Sequence, residues 1–194
     1  PASVEYIGDY AFSNNLLTNI TIPENVKYVG EGAFEGNPFT SITWNAIDCE
    51  TEIVKGGSIW SSVFGGLYSV KSFTFGNKVK TIPNSLCGGL GFNVEEGIEI
   101  TLPNSLEKIG HRAFAASGIK TITIPENVKS IGMYAFGGCR SLTNITIPES
   151  VTIIEKSAFE GCSSLTNITI PDSVTSIGDM AFYDCSSLTN ITIP

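Results

Sequence analysis

Two consecutive stretches of the chain are nearly the same. Residues 141–163 read SLTNITIPESVTIIEKSAFEGCS, and residues 164–186 read SLTNITIPDSVTSIGDMAFYDCS. Self-similarity at a fixed spacing is the sequence signature of a repeat architecture, in which each structural unit stacks on the next. The pair therefore predicts a fold built from one short recurring unit.

The repeat extends over all 194 residues. Each unit contains an ITIP-like segment, and the residues that close these segments are Pro1, Pro23, Asn45, Gly76, Pro103, Pro125, Pro148, Pro171 and Pro194. These positions are almost evenly spaced, except that the intervals from Asn45 to Gly76 and from Gly76 to Pro103 are longer. We therefore expect a single domain over residues 1–194 with about eight repeats, of which the longer, irregular ones span residues 46–103.

Each repeat has two apolar clusters. In the first, Ile145 and Ile147 flank Thr146, which is the alternation of a short strand with one buried face. Pro148 ends this strand because it lacks an amide hydrogen. The second cluster reads VxxIxxxAF, and we expect a short extended or 3₁₀ segment there, on an opposite wall.

No repeat of this length buries its apolar face alone, so the strands of successive repeats are predicted to stack in parallel as a solenoid. A column of aromatic residues fits this prediction. It contains Phe12, Phe34, Phe64, Phe114, Phe136, Phe159 and Phe182, with Leu86 assigned to the corresponding place in the shortened repeat. We expect these side chains to form an aromatic spine through the core.

The composition restricts the possible partners. The net charge is −8, which argues against nucleic acid and anionic membrane surfaces, because both are bound through clustered Lys and Arg. The sequence contains no apolar run long enough to span a bilayer, so we expect no membrane insertion. Because the chain begins and ends within the repeat pattern, we expect a fragment of a longer array.

The full pattern, LxxIxIPxSVxxIGxxAFxxC, resembles the BspA-like leucine-rich repeats, also called the Treponema pallidum class. The clearest matches are residues 142–162 and 165–185, and the resemblance covers essentially the whole chain. It implies a right-handed, α/β-type horseshoe dominated by short parallel strands, with the sheet on the concave face. It also implies a secreted or cell-surface protein, typically bacterial, that takes part in adhesion.

One column of the predicted strands faces away from the core and is Thr in every repeat. Its members are Thr21, Thr43, Thr74, Thr101, Thr123, Thr146, Thr169 and Thr192. Stacked Thr side chains stabilise neighbouring strands, and this structural role is our first interpretation. The same column also offers a flat, hydroxyl-rich surface to a protein or a glycan, and the two interpretations are compatible.

The central repeats depart from this uniform pattern. The columns beside the Thr column are mostly Thr, Ser and Asn, but they contain Lys71, Ile98, Glu99 and Lys120 in the middle of the chain. The candidate binding surface therefore consists of Thr74, Thr101, Thr123, Lys71, Glu99 and Lys120, together with the aromatic residues Trp60 and Tyr68 near the insertion. The alternatives are neutral variation on a solvated face and aromatic residues that only pack the insertion.

No catalytic, metal or cofactor site is predicted. The single His, His111, has no nucleophile motif and no second His beside it. Asp48, Glu50 and Glu52 lack the spacing and the glycine of a calcium loop, so we interpret them as a solvated acidic segment.

The five cysteines form no CxxC pair, and their odd number speaks against a disulfide framework. Cys139, Cys162 and Cys185 occupy the same position in three successive repeats, and we expect them to be buried thiols that act as small apolar residues. We expect Cys49 and Cys87, which lie in the irregular repeats, to be the more reactive.

The sequence thus favours a non-enzymatic, adhesin-like protein, monomeric and extracellular, that binds a host protein, matrix or another cell. Two further classes stay open. Near-uniform repeats also suit a structural spacer within a larger surface protein, and the hydroxyl column with nearby aromatic residues also suits a glycan-binding module.

Overall fold

The computed structural model describes residues 3–51, 62–68, 70–95 and 97–193. This part of the chain forms fifteen short strands, β1–β15 in chain order, and none of it forms a helix, so no helix here is long and apolar enough to cross a membrane. Seven strands from the ITIP-like segments form the front wall: β2 (Asn19–Ile22), β4 (Ser41–Trp44), β6 (Ser72–Phe75), β9 (Thr121–Thr123), β11 (Asn144–Thr146), β13 (Asn167–Thr169) and β15 (Asn190–Thr192). Eight two-residue strands form the back wall: β1 (Tyr6–Ile7), β3 (Tyr28–Val29), β5 (Glu50–Thr51), β7 (Thr81–Ile82), β8 (Lys108–Ile109), β10 (Ser130–Ile131), β12 (Ile153–Ile154) and β14 (Ser176–Ile177).

Every strand pair is parallel and joins equivalent residues of neighbouring repeats, as in Thr121 with Asn144 and Asn167 with Asn190. The back wall contains two sheets, β1-β3-β5 and β14-β12-β10-β8-β7. The front wall contains three, β2-β4-β6, β9-β11 and β13-β15. The predicted solenoid of short parallel strands, with extended segments on the opposite wall, is confirmed.

The core lies between the two walls as one apolar cluster that reaches from Ile7 to Cys185. The strand alternation explains which side chains enter it. In β11 the central Ile145 is buried, and Asn144 and Thr146 on either side of it are exposed. Because the Ile–Thr alternation recurs in each repeat, each turn adds the same apolar layer to the core.

The aromatic column forms two stacks. Phe114, Phe136, Phe159 and Phe182 stack with nearly parallel rings, whose centroids lie 5.3 to 5.5 Å apart. Phe12, Phe34 and Phe64 form the second stack, with centroid distances of 5.3 and 5.4 Å. The predicted spine is therefore present, with one interruption between Phe64 and Phe114.

The interruption corrects one assignment of the sequence pattern. The amide of Phe114 donates to the carbonyl of Ala135, and the equivalent bond in the preceding repeat runs from the amide of Cys87 to the carbonyl of Ala113. Cys87 therefore takes the place of the Phe, and the assignment of Leu86 to this column was wrong. A thiol is too small to stack, so the aromatic column ends on either side of Cys87.

The turns after the back-wall strands contain residues in the left-handed region. Tyr134 and Gly138 have φ values of 56° and 74°, and Ser157 and Gly161 have values of 55° and 70°. With this geometry, the amides of Tyr134 and Gly138 donate to carbonyls of the next repeat, at 3.1 and 2.6 Å. The turns thus add a third set of hydrogen bonds between successive repeats.

Candidate functional site

The Thr column lies on the outer surface of the front wall. Each member is exposed except Thr43, which is half-buried. The column includes the predicted site residues Thr74, Thr101 and Thr123. Its hydroxyl groups form a row that runs across the stacked strands, so the structure contains the expected hydroxyl-rich surface.

Lys71, Glu99 and Lys120 are the only charged residues that the described chain places in the outward columns of the front wall, and all three are exposed. None of them forms an ion pair with another described residue, because the three salt bridges of this part of the chain join Lys27 with Glu5, Lys78 with Glu24 and Lys80 with Glu107. The outward columns therefore contain one more positive than negative charge, on a chain whose net charge is −8.

In the central repeats, the structure aligns neighbouring strands differently from the columns that the sequence spacing predicts. Ile98 pairs with Ile119 and is buried, so placing Ile98 in one exposed column with Lys120 was wrong. Two exposed residues, Lys120 and Thr121, follow Ile119, whereas Glu99 alone follows Ile98 before the next buried residue. Regular repeats also have two exposed residues in this place, as between Leu142 and Ile145, so the segment after Ile98 is one residue shorter than its neighbours.

The front wall is open on both sides of residues 99–102. Within the described residues, none of the four amides from Glu99 to Leu102 donates a hydrogen bond to the protein. Among the strands that the structure describes, β6 pairs only with β4, and β9 pairs only with β11. The segment 99–102 therefore lies between two neighbouring strands without a backbone ladder to either.

A groove accompanies each of these openings. The central groove, of about 400 Å³, lies between residues 71–75 and the segment from Glu99 to Pro103. A second groove of about 450 Å³ lies between residues 99–102 and β9. A third groove, of about 240 Å³, lies between β11 and β13, which do not pair with each other. The predicted site residues Lys71, Thr74, Glu99 and Thr101 line the central groove.

Of the two predicted aromatic site residues, the structure describes only Tyr68. Trp60 lies outside the described residues. Tyr68 is half-buried, its ring packs over Gly66, and it does not line the grooves beside residues 99–102. Trp44 and Phe64 are buried in the core, which supports the interpretation that aromatic residues near the insertion are packing residues.

A fourth cleft was not predicted. It lies at the turns that follow the Phe column, has a volume of about 510 Å³, and is lined by Tyr134, Arg140, Glu160, Tyr183 and Asp184 above glycine residues. The sequence signal was present but weak, because these residues occupy variable positions beside the recurring AF pair. Two tyrosines near three charged groups form an amphipathic recess.

His111 and Asp48 have ordinary surroundings, and Glu52 of the acidic segment lies outside the described residues. Burial, and then the Arg112 guanidinium, lower the pKa of His111 below its usual value, and the ring meets Tyr134 edge to face at 6.2 Å. Asp48 accepts a hydrogen bond from the hydroxyl of Thr81, at 2.8 Å. Among the described residues, no cluster of His, Cys, Asp and Glu has the geometry of a metal site.

All five cysteines are buried and unpaired. Burial, followed by the neighbouring Asp48 carboxylate, raises the pKa of Cys49 to about 12, and burial raises the pKa of Cys87 well above its usual value. Thiols with raised pKa values are poor nucleophiles, so the expectation that these two would be the more reactive was wrong.

Comparisons with known proteins agree with this architecture. A family model for the BspA type leucine-rich repeat region matches six copies, over residues 1–89 and 91–194. A leucine-rich repeat protein from Bacteroides ovatus is 27% identical with a TM-score of 0.72, over 91% of this chain and 45% of that chain. A leucine-rich cell surface protein from Faecalibacterium prausnitzii is 29% identical with a TM-score of 0.69, over 92% of this chain and 48% of that chain.

The T. pallidum leucine-rich repeat protein shares the fold at 20% identity, with a TM-score of 0.69, over 95% of this chain and 83% of that chain. No functionally curated protein gives a significant match. The chain spans about half the length of the Bacteroides and Faecalibacterium proteins. Six matching repeat copies across nearly every residue show that the chain belongs to the BspA-type leucine-rich repeat family, whose repeats are suited to protein interaction.

Proposed function

We propose that this protein is a non-enzymatic, adhesin-like binding protein that engages another protein through the front wall. The observation that carries the proposal is the exposed Thr column, flanked in the central repeats by the exposed residues Lys71, Glu99 and Lys120. Polar hydroxyls over a broad face make many contacts, and the irregular charges supply selectivity for a partner.

The mechanism is contact over a large area on a preformed template. The exposed Thr side chains stand on strands whose positions are set by core packing and by the stacked turns. Association therefore costs little ordering entropy on this side of the interface. We propose that all repeats act as one binding domain, because one core cluster connects Ile7 with Cys185.

We further propose that the protein is monomeric and acts outside the cell, secreted or anchored at a cell surface. Its similarity to a cell surface protein of Faecalibacterium prausnitzii supports this location. The partner would then be a host protein, a matrix component or a protein of another cell.

The test is surface plasmon resonance against immobilised matrix proteins, mucin and glycans. We expect saturable binding to a protein target, weakened by the Lys71→Glu/Lys120→Glu variant at an unchanged melting temperature. Lys108→Glu is the matched control, because Lys108 is an equally exposed lysine on the back wall. No binding to any protein target, or equal loss in both variants, would reject the front wall as the binding surface.

Glycan binding is the second candidate, and the turn cleft is the observation that favours it. The exposed ring of Tyr183 offers a face for stacking, and Arg140, Glu160 and Asp184 offer polar partners for hydroxyl groups. Loss of a glycan signal on Tyr183→Ala, with front-wall variants unaffected, would favour this function over the first. A folded protein that binds neither class would favour the structural spacer.

A further inference from the structure

We propose that the central groove binds an extended polypeptide segment with acidic side chains, which pairs with the open edge of β6 and with residues 99–102. This inference rests on the proposed function, because it names the kind of partner and the way in which the front wall holds it.

The two banks of the groove carry unsatisfied backbone groups. β6 pairs with β4 over four residue pairs, from Ser41 with Ser72 to Trp44 with Phe75. A strand in a parallel ladder directs alternate amides and carbonyls to its other side, and no described residue pairs with β6 there. On the opposite bank, the amides of residues 99–102 have no acceptor in the part of the chain that the structure describes.

An extended polypeptide is the ligand that matches such banks. Its own amides and carbonyls recur about every 3.3 Å, which is the repeat of the strands on either side. Strand addition of this kind gains affinity from main-chain hydrogen bonds and selectivity from alternate side chains. Among the groove residues, the aromatic side chains of Phe73 and Phe75 are buried, so the groove offers no ring face to a sugar.

The charges of the groove favour an acidic side chain of the incoming segment on the bank of Lys71. Among the residues that line the groove, Lys71 is the one cation and Glu99 is the one anion. Lys71 and Glu99 line opposite banks of the same groove and are both exposed. An acidic side chain in the groove is attracted by Lys71 and repelled by Glu99. Neutralising Lys71 should therefore weaken binding, and neutralising Glu99 should strengthen it.

The experiment uses a blocked heptapeptide, Thr-Glu-Val-Thr-Val-Glu-Thr, and amide exchange measured by NMR. In the free protein, we expect rapid exchange at residues 99–102 and slow exchange at ladder residues such as Ile145. With the peptide, exchange should slow at least about tenfold at those alternate amides of residues 99–102 and of β6 that face the groove, since new main-chain bonds form. A peptide N-methylated at alternate residues is the matched control, and it should give no protection.

Variants of the groove then test the charge argument. Lys71→Gln should weaken binding of the acidic peptide, and Glu99→Gln should strengthen it, each by about twofold or more, which is typical of an exposed charge pair. Both residues are exposed and outside any ion pair of the described chain, so neither variant should affect folding.

Three results would overturn the inference. They are slow exchange at residues 99–102 in the free protein, no protection at about 1 mM peptide, and equal binding of the N-methylated peptide. If a protein target still bound the front wall in the plasmon resonance assay, the proposed function would stand and only the strand-addition proposal would be rejected.

Discussion

The thiol of Cys162 donates a hydrogen bond to the carbonyl oxygen of Phe136 in the preceding repeat, with the sulfur 3.2 Å from that oxygen. Cys139 bonds in the same way to Phe114, at 3.1 Å, and Cys185 bonds to Phe159, at 3.2 Å. In the early repeats, the Nδ2 group of Asn37 reaches the carbonyl of Phe12, at 2.8 Å. In these repeats the column supplies a hydrogen-bond donor, which the sequence interpretation as apolar filling did not include, although Leu90 occupies the equivalent position three residues after Cys87.

The donor role predicts how Cys162 tolerates substitution. Cys162→Val removes the thiol donor and leaves the Phe136 carbonyl with the amide of Cys139 as its remaining partner, so it should lower the free energy of unfolding by about 0.5–1.5 kcal/mol. Cys162→Ser keeps a donor and should lower it less. Urea denaturation of both variants measures the difference, and a Val variant as stable as the Ser variant would argue against the donor role.

The aromatic stack predicts a gradient of stability along the Phe column. Phe159 is fully buried between two stacked rings, so Phe159→Ala should lower the free energy of unfolding by about 3–5 kcal/mol. Phe12 is 45% exposed and stands at the end of its stack, on Phe34, so Phe12→Ala is the matched control with a smaller loss. Equal losses in a denaturation experiment would mean that the stack contributes little.

The left-handed turn positions predict one stabilising substitution. Ser157 has a φ of 55°, is fully buried, and has a hydroxyl without a hydrogen-bond partner within the described chain. Gly32 fills the equivalent position in another repeat. Ser157→Gly should therefore raise the free energy of unfolding by about 0.5–1 kcal/mol, and Ser157→Val should lower it. The reverse order of thermal midpoints would contradict this account of the turn.

The buried thiols predict a loss of stability in alkali. Burial raises the pKa of Cys139 to about 11, above the value of about 8.5 for an unfolded thiol. The unfolded chain therefore releases its proton first, so the stabilising contribution is complete below about pH 8.5 and is lost as the pH rises towards 11. The slope is about 1.4 kcal/mol per pH unit for each such thiol.

Denaturation at pH 7 to 10 tests this dependence, with Cys139→Ser as the comparison. The variant should start less stable but lose stability less steeply, by about the slope of one thiol. Identical slopes for the two proteins would show that Cys139 titrates in the folded state as it does in the unfolded chain.

The regular features of the fold were predictable because each rests on a short period. The alternation around Thr146 gave the strands and their exposed face, and the constant repeat interval gave the parallel register. Cys87 was misassigned although it lies as far after Gly76 as Phe114 lies after Pro103. In this repeat, the distance from the residue that closes the ITIP-like segment therefore determines which residue enters the aromatic column, and the residue type does not.

The central grooves could not be predicted in the same way. Glu99 alone separates the buried Ile98 from Ile100, where the regular repeats have two exposed residues, so the register shifts by one residue in this repeat. The missing ladder beside residues 99–102 depends on how neighbouring repeats of unequal length meet, which is a tertiary property. The turn cleft was missed because Tyr134 and Tyr183 occupy variable positions.

The most direct test of the central claim blocks the front wall without altering its core. Thr101→Arg places a long, charged side chain on the exposed Thr column, and Thr152→Arg places the same side chain at an exposed position beside back-wall strand β12. Binding to the protein target that the wild-type chain recognises is then measured by surface plasmon resonance. The account predicts that Thr101→Arg weakens binding at least about tenfold, while Thr152→Arg leaves it unchanged. Full binding by Thr101→Arg would contradict the front wall as the binding surface.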